Sequence, residues 1–179
     1  SNNTTSSVAS ASNAVTEVLE PGDSREFNIS VPLESVAGWY NADWLLLRVS
    51  TPVDMDNDNN EQILEIPKPD LKVTNLSISP IAGGSFQPTA RVINAGGIST
   101  MAGFQVEFRR IMPNGSQVVD GVADVGPLTS VVDEYIDVPG PMLTSAQVEE
   151  ASWLRAWADS GNVIIESSEN NNTKKIPAP

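Results

Sequence analysis

Phe104-Gln105-Val106-Glu107-Phe108-Arg109 alternates apolar and polar side chains at every step. A period of two marks a strand with one buried face and one wet face. Asn114-Gly115 follows and separates Phe104–Met112 from a second such run, Gln117–Val125. Asn-Gly supplies the positive φ that a tight turn needs, so the two runs read as a β-hairpin. The same alternation returns upstream, where Leu45, Leu47 and Val49 interleave with Trp44, Leu46 and Arg48. Pro80, Pro88, Pro127, Pro139 and Pro141 punctuate the remainder. Helical periodicity is weak, with Ser145–Ala151 and Leu33–Tyr40 the best short candidates. Many short strands with turn signals between them predict an all-β chain built as a sandwich.

An internal repeat organises these strands. One copy runs Glu26-Phe27-Asn28-Ile29-Ser30-Val31-Pro32, Ala42-Asp43-Trp44-Leu45, Asn59-Asn60 and Ile66-Pro67-Lys68-Pro69. The other runs Glu134-Tyr135-Ile136-Asp137-Val138-Pro139, Ala151-Ser152-Trp153-Leu154, Asn171-Asn172 and Ile176-Pro177-Ala178-Pro179. Order and spacing agree within a few residues, which predicts tandem modules of one kind. The prolines around Lys68 make the boundary an extended, stiff connector. Residues 1–14 are Ser, Asn, Thr and Ala without a period and read as a linker or loose terminus. Residues 15–68 form a first, incomplete module, and residues 69–179 a full one. The first lacks about three strands' worth of sequence. Its apolar face, with Phe27, Ile29, Leu45, Leu47 and Val49, therefore needs a cover: the second module, further residues of a longer parent chain, or strands from a neighbouring copy.

Composition excludes several function classes. The 179 residues carry a net charge of -13, from 10 Lys+Arg against 23 Asp+Glu. That balance disfavours nucleic acid and anionic membrane surfaces. There is no cysteine and no histidine, so disulfides, thiol nucleophiles, imidazole bases and the usual zinc sites are absent. No apolar run reaches the ~18–20 residues of a membrane span. No basic-then-apolar start is present, so an exported form implies a signal peptide already removed. Six of fifteen asparagines stand in Asn-x-Ser/Thr, namely Asn2, Asn3, Asn28, Asn75, Asn114 and Asn171. Such an excess suggests a glycosylated, extracellular surface.

Three stretches resemble the CARDB family. Pro69-Asp70-Leu71-Lys72-Val73-Thr74-Asn75-Leu76-Ser77 resembles its first strand, and Val92-Ile93-Asn94-Ala95-Gly96-Gly97 its N-x-G turn. Asp159-Ser160-Gly161-Asn162-Val163-Ile164-Ile165-Glu166-Ser167-Ser168-Glu169-Asn170-Asn171-Asn172 is similar to its closing signature, D-x-x-N-x-[IV]-x-E-x-x-E-x-N-N. The resemblance spans nearly all of Asp70–Pro179 and only the later half of a module in Val15–Pro69. It implies immunoglobulin-like β-sandwich modules and an extracellular, often tandem, adhesive or spacer role, with no activity attached.

Two constellations are candidate sites. Asp54, Asp56 and Asp58 place carboxylates at every second residue of an acidic loop, a pattern that suits calcium if the backbone curls. Asp159, Asn162, Glu166 and Glu169 are a thinner version in the second copy. A strand over Ser152–Ala158 puts Trp153 and Trp157 on one face, ~13 Å apart, with Leu154, Ala156 and Ala158 facing the core. Paired outward indoles can stack on sugar rings, whereas buried ones would pack on a neighbouring module. The clusters Asp133-Glu134-Asp137 and Glu149-Glu150 are poor glycosidase pairs, because adjacent strand residues point to opposite faces. The expected function is non-enzymatic: a structural subunit of a cell-surface fibre, adhesin or coat, or alternatively a non-catalytic carbohydrate-binding module. Its expected partners are copies of itself, adjacent modules of a parent chain, or glycans.

Overall fold

The computed structural model describes residues 42–49, 60–132 and 134–179. The chain divides into two compact units, Ser1–Ile66 and Pro67–Pro179.

In the first unit, β1 (Trp44–Arg48) pairs antiparallel with β2 (Glu61–Glu65). Leu45 and Leu47 are half-buried, while Trp44 and Leu46 are exposed. Arg48 meets Glu61 at 3.3 Å across the pair. Phe27, Ile29, the stretch Leu33–Tyr40 and the loop around Asp56 lie outside the described residues.

The second unit has two four-stranded antiparallel sheets. One is ordered β10-β9-β5-β6, from β5 (Phe104–Ile111), β6 (Gln117–Val125), β9 (Trp153–Ala158) and β10 (Thr173–Pro177). The other pairs β3 (Leu71–Ile81), β4 (Ser85–Asn94) and β7 (Ile136–Pro139), with β8 (Leu143–Thr144) on the far end of β4. The inner faces supply one core. Leu71, Val73 and Leu76 come from β3, Ala90 and Val92 from β4. Phe104, Val106 and Phe108 come from β5, and Leu154, Ala156 and Ala158 from β9.

The alternation that predicted the β5–β6 hairpin is the alternation observed. Gly115 takes φ +83° at the turn, and Met112 and Ser116 close it at 2.8 Å. A bulge at Phe108/Arg109 gives β6 one extra residue, Asp120. The bulge brings Asp120 to the buried Arg110 guanidinium, 2.8 Å from its Nε. Arg110 also donates to the Gln147 carbonyl at 3.1 Å. That carbonyl belongs to α1 (Ser145–Glu149), one short helical stretch where Ser145–Ala151 was expected. Thr144 and Gln147 close a reciprocal capping box at its start. Gly140 lies against the Phe108 ring, where an added Cβ would meet ring carbons at 2.8 Å.

The sequence repeat is a repeat of hydrogen-bond register. Trp44 faces Glu65 across β1–β2 as Trp153 faces Pro177 across β9–β10. Val49 N–H donates to Asn60 as Ala158 N–H donates to Asn172, and Ile66 donates to Asp43 as Ala178 donates to Ser152. This corrects one detail of the sequence alignment. Ile66 corresponds to Ala178 and Leu64 to Ile176, two residues away from the match of Ile66 with Ile176. A slip of two keeps every side chain on its face, so the apolar pattern alone does not detect it.

Candidate functional site

The closing signature forms a polar latch at one end of the second unit. Asp159, in left-handed backbone at φ +49°, accepts the N–H groups of Val163 at 3.0 Å and Ile164 at 2.8 Å. Asn162 takes the same left-handed conformation at φ +51°, which Asp and Asn adopt most readily among non-glycine residues. Glu166 accepts the Leu71 N–H with one oxygen and the Asn172 amide, at 2.8 Å, with the other. That amide also reaches Glu169 at 3.2 Å, and the neighbouring Asn171 amide donates to both oxygens of Asp70. Burial pushes the Glu166 carboxyl up to about 7, with Glu169 and Asp159 adding repulsion. Glu169 is likewise raised, by burial first and then by Asp159.

The N-x-G turn supports the same end. Asn94 Oδ1 accepts from Asp70 N–H at 3.0 Å and Gly96 N–H at 3.1 Å, while its amide donates to the Ile98 carbonyl at 2.7 Å. Gly96 sits so close to the 68–70 backbone that a Cβ would fall 2.2 Å from the Lys68 carbonyl oxygen.

Asp159, Glu166 and Glu169 each accept N–H groups here, the structural role expected of side chains that satisfy the final turn. Among the described residues no group of three or more acidic side chains is placed to hold a metal. Asp54, Asp56 and Asp58 lie outside the described residues, as does Asn28. Asn75 and Asn114 are exposed, whereas Asn171 has its amide nitrogen committed to Asp70 and its carbonyl oxygen buried.

The outward face of β10-β9-β5-β6 is of a different kind. Trp153 and Trp157 both project from it, alternating with buried Leu154, Ala156 and Ala158. Trp153 is 37% exposed. Arg155 stands between the indoles, with its guanidinium 5.0 Å from the centre of the Trp157 ring. Arg109 lies 5.5 Å from that same centre, and Lys175 approaches the Trp153 ring at 4.8 Å. Strand register aligns the cations, because Lys175 and Arg109 are the two cross-strand neighbours of Arg155. Val119 and Val122 of β6 extend the face with exposed apolar surface. Sequence reasoning found the indoles but missed the cationic row, whose members lie on three strands far apart in sequence. In the first unit Trp44 holds the place of Trp153 and is also exposed.

Two face-to-face antiparallel sheets in this order define an immunoglobulin-like β-sandwich module. The chain belongs to the CARDB family, whose model matches residues 68–176, more than half of its length. Modules of this family are typical of surface proteins. No curated protein matches the chain. Among solved structures it is similar to the CARDB domain of a Pyrococcus furiosus protein in complex with di-metal ions. Identity there is 19% and the TM-score 0.40, over 62% of this chain and 93% of that one. It is also similar to β-glucosidase 3B from Thermotoga neapolitana in complex with α-D-glucose, at 13% identity and TM-score 0.38, over 64% of this chain and 18% of that one. A β-glucosidase from Streptomyces venezuelae in complex with D-glucose matches at 12% identity and TM-score 0.39, over 62% and 15%. The chain thus spans less than a fifth of either glucosidase. No helix among the described residues is long and apolar enough to cross a membrane.

Proposed function

We propose that the chain is a non-enzymatic module of an extracellular or cell-surface protein that binds glycans on the outward face of β10-β9-β5-β6. The observation that carries this reading is the shared outward projection of Trp153 and Trp157 from one strand. Indoles on a solvated sheet face offer sugar rings an apolar surface that a buried pair would not. The absence of histidine and cysteine supports a role without catalysis. Titration with soluble polysaccharides tests the reading through tryptophan fluorescence. A saturable change that is lost in Trp153→Ala supports it. A flat response, together with self-association in light scattering, returns the chain to a structural role among copies of itself.

A further inference from the structure

We infer that the ligand of this face is an acidic polysaccharide, a chain of sugars bearing carboxylates, held by the row Lys175–Arg155–Arg109 between Trp153 and Trp157. The inference rests on the glycan reading above and names its class of ligand.

The row is unusual within this protein. The chain carries -13 overall with a sequence pI near 4.2, yet three cations stand side by side on adjacent strands. Like charges directly opposite in a sheet repel and cost stability. Only Arg109 has a carboxylate partner among the described residues, Glu107 on the same strand. The remaining pairs show what an internally satisfied arginine looks like here. Arg91 is gripped by both oxygens of Asp137 at 2.8 Å, and Arg110 is buried against Asp120. Among the described residues, Arg155 and Lys175 have no such carboxylate partner, and their cationic groups lie against the Trp157 and Trp153 rings.

Stacking on an indole uses the flat face of a guanidinium and leaves its in-plane N–H groups available. It also holds the side chain still, so less rotamer freedom is lost when an anion arrives. A carboxylate accepts two parallel N–H bonds from such a fork. The flanking rings and the exposed Val119 and Val122 offer apolar surface to the C–H faces of the sugars. A uronate polymer satisfies both demands at once, with anionic groups over the cationic row and C–H faces against the exposed parts of Trp153, Val119 and Val122. A neutral glucan meets only the second.

The test titrates the full chain with polygalacturonate and with neutral dextran, by calorimetry and tryptophan fluorescence. Polygalacturonate is expected to bind, and to weaken about tenfold or more between low and high salt as the charges are screened. Arg155→Gln is expected to weaken it about tenfold, the loss of one charge-assisted contact, with an unchanged melting curve. Lys175→Gln, on the edge strand, gives a second variant if the first disturbs folding. Equal binding of dextran and polygalacturonate, or indifference to both substitutions, overturns the acidic ligand and leaves the glycan reading standing. Binding of neither polymer overturns both. Salt-sensitive self-association without polymer binding assigns the row to the acidic surface of another copy and overturns the inference.

Discussion

The Glu166 carboxylate accepts the backbone N–H of Leu71, a residue 95 positions earlier in the chain. This contact helps to join the start of β3 to the closing signature, and burial of the carboxyl there makes the module's stability depend on pH. Burial raises the Glu166 carboxyl from an ordinary value of 4.5 to about 7. A group whose folded pKa is raised contributes stability that is fully present below its unfolded pKa. That contribution is lost as pH rises through the folded value.

The first prediction is therefore that the melting temperature falls as pH rises from 5 to 8. The size is on the order of 3 kcal/mol for the full shift. General repulsion among the acidic residues acts in the same direction, so the comparison with Glu166→Gln isolates the carboxyl. That variant should show a distinctly flatter pH profile. An identical slope in both proteins would remove Glu166 from the account.

The second concerns the buried pair Arg110–Asp120. Removing Asp120 leaves the desolvated guanidinium with only the more distant and exposed Glu150, 3.7 Å away, as a carboxylate neighbour. Asp120→Ala should cost about 3–5 kcal/mol in urea unfolding. The double variant Arg110→Met/Asp120→Ala should recover part of that loss. A single-variant cost below ~1 kcal/mol would mean that solvent reaches the pair.

The third concerns the N-x-G turn. Gly96→Ala drives a Cβ into the Lys68 carbonyl, which is backbone and cannot swing aside. It should destabilise by about 1–3 kcal/mol or more. Gly126→Ala meets nothing within 4 Å and should stay within ~0.5 kcal/mol of the parent. Equal effects of the two would contradict the packing described.

The fourth concerns glycosylation. In native material, peptide mass spectrometry should find glycans at the exposed Asn75 or Asn114 in preference to Asn171. The Asn171 amide is tied to Asp70, and attachment there would break the latch. Full occupancy of Asn171 in folded protein would show that the latch is dispensable.

Local patterns in the sequence reached the strands directly. The period of two in Phe104–Arg109 and the Asn114-Gly115 turn each act within a few residues, so both were legible. The repeat was legible too, but its last match slipped by two at Ile66, because a shift of two leaves the apolar faces unchanged. Arg110 carried a readable signal: it has the same parity as Phe104, Val106 and Phe108, which places it on the buried face. Its partner Asp120 was not readable, since the bulge that delivers it breaks the alternation. The closing signature suggests side chains that satisfy the final turn, but residue type does not reveal which N–H each carboxylate meets. The cationic row depends on register among β10, β9 and β5, which no single stretch encodes.

The latch has a consequence for how the module is made. A chain is built from its N-terminus, so Leu71 and the β3 strand emerge long before Glu166 and Asn172 exist. Until those residues arrive, the Leu71 N–H has no acceptor where it will be buried, and β9 has no neighbour on its outer edge. A nascent or prematurely ended module is thus denied its final closure and keeps an open strand edge on display. Closure of this module therefore waits for the closing signature, which brings the acceptor for Leu71 and leads into the strand that covers β9.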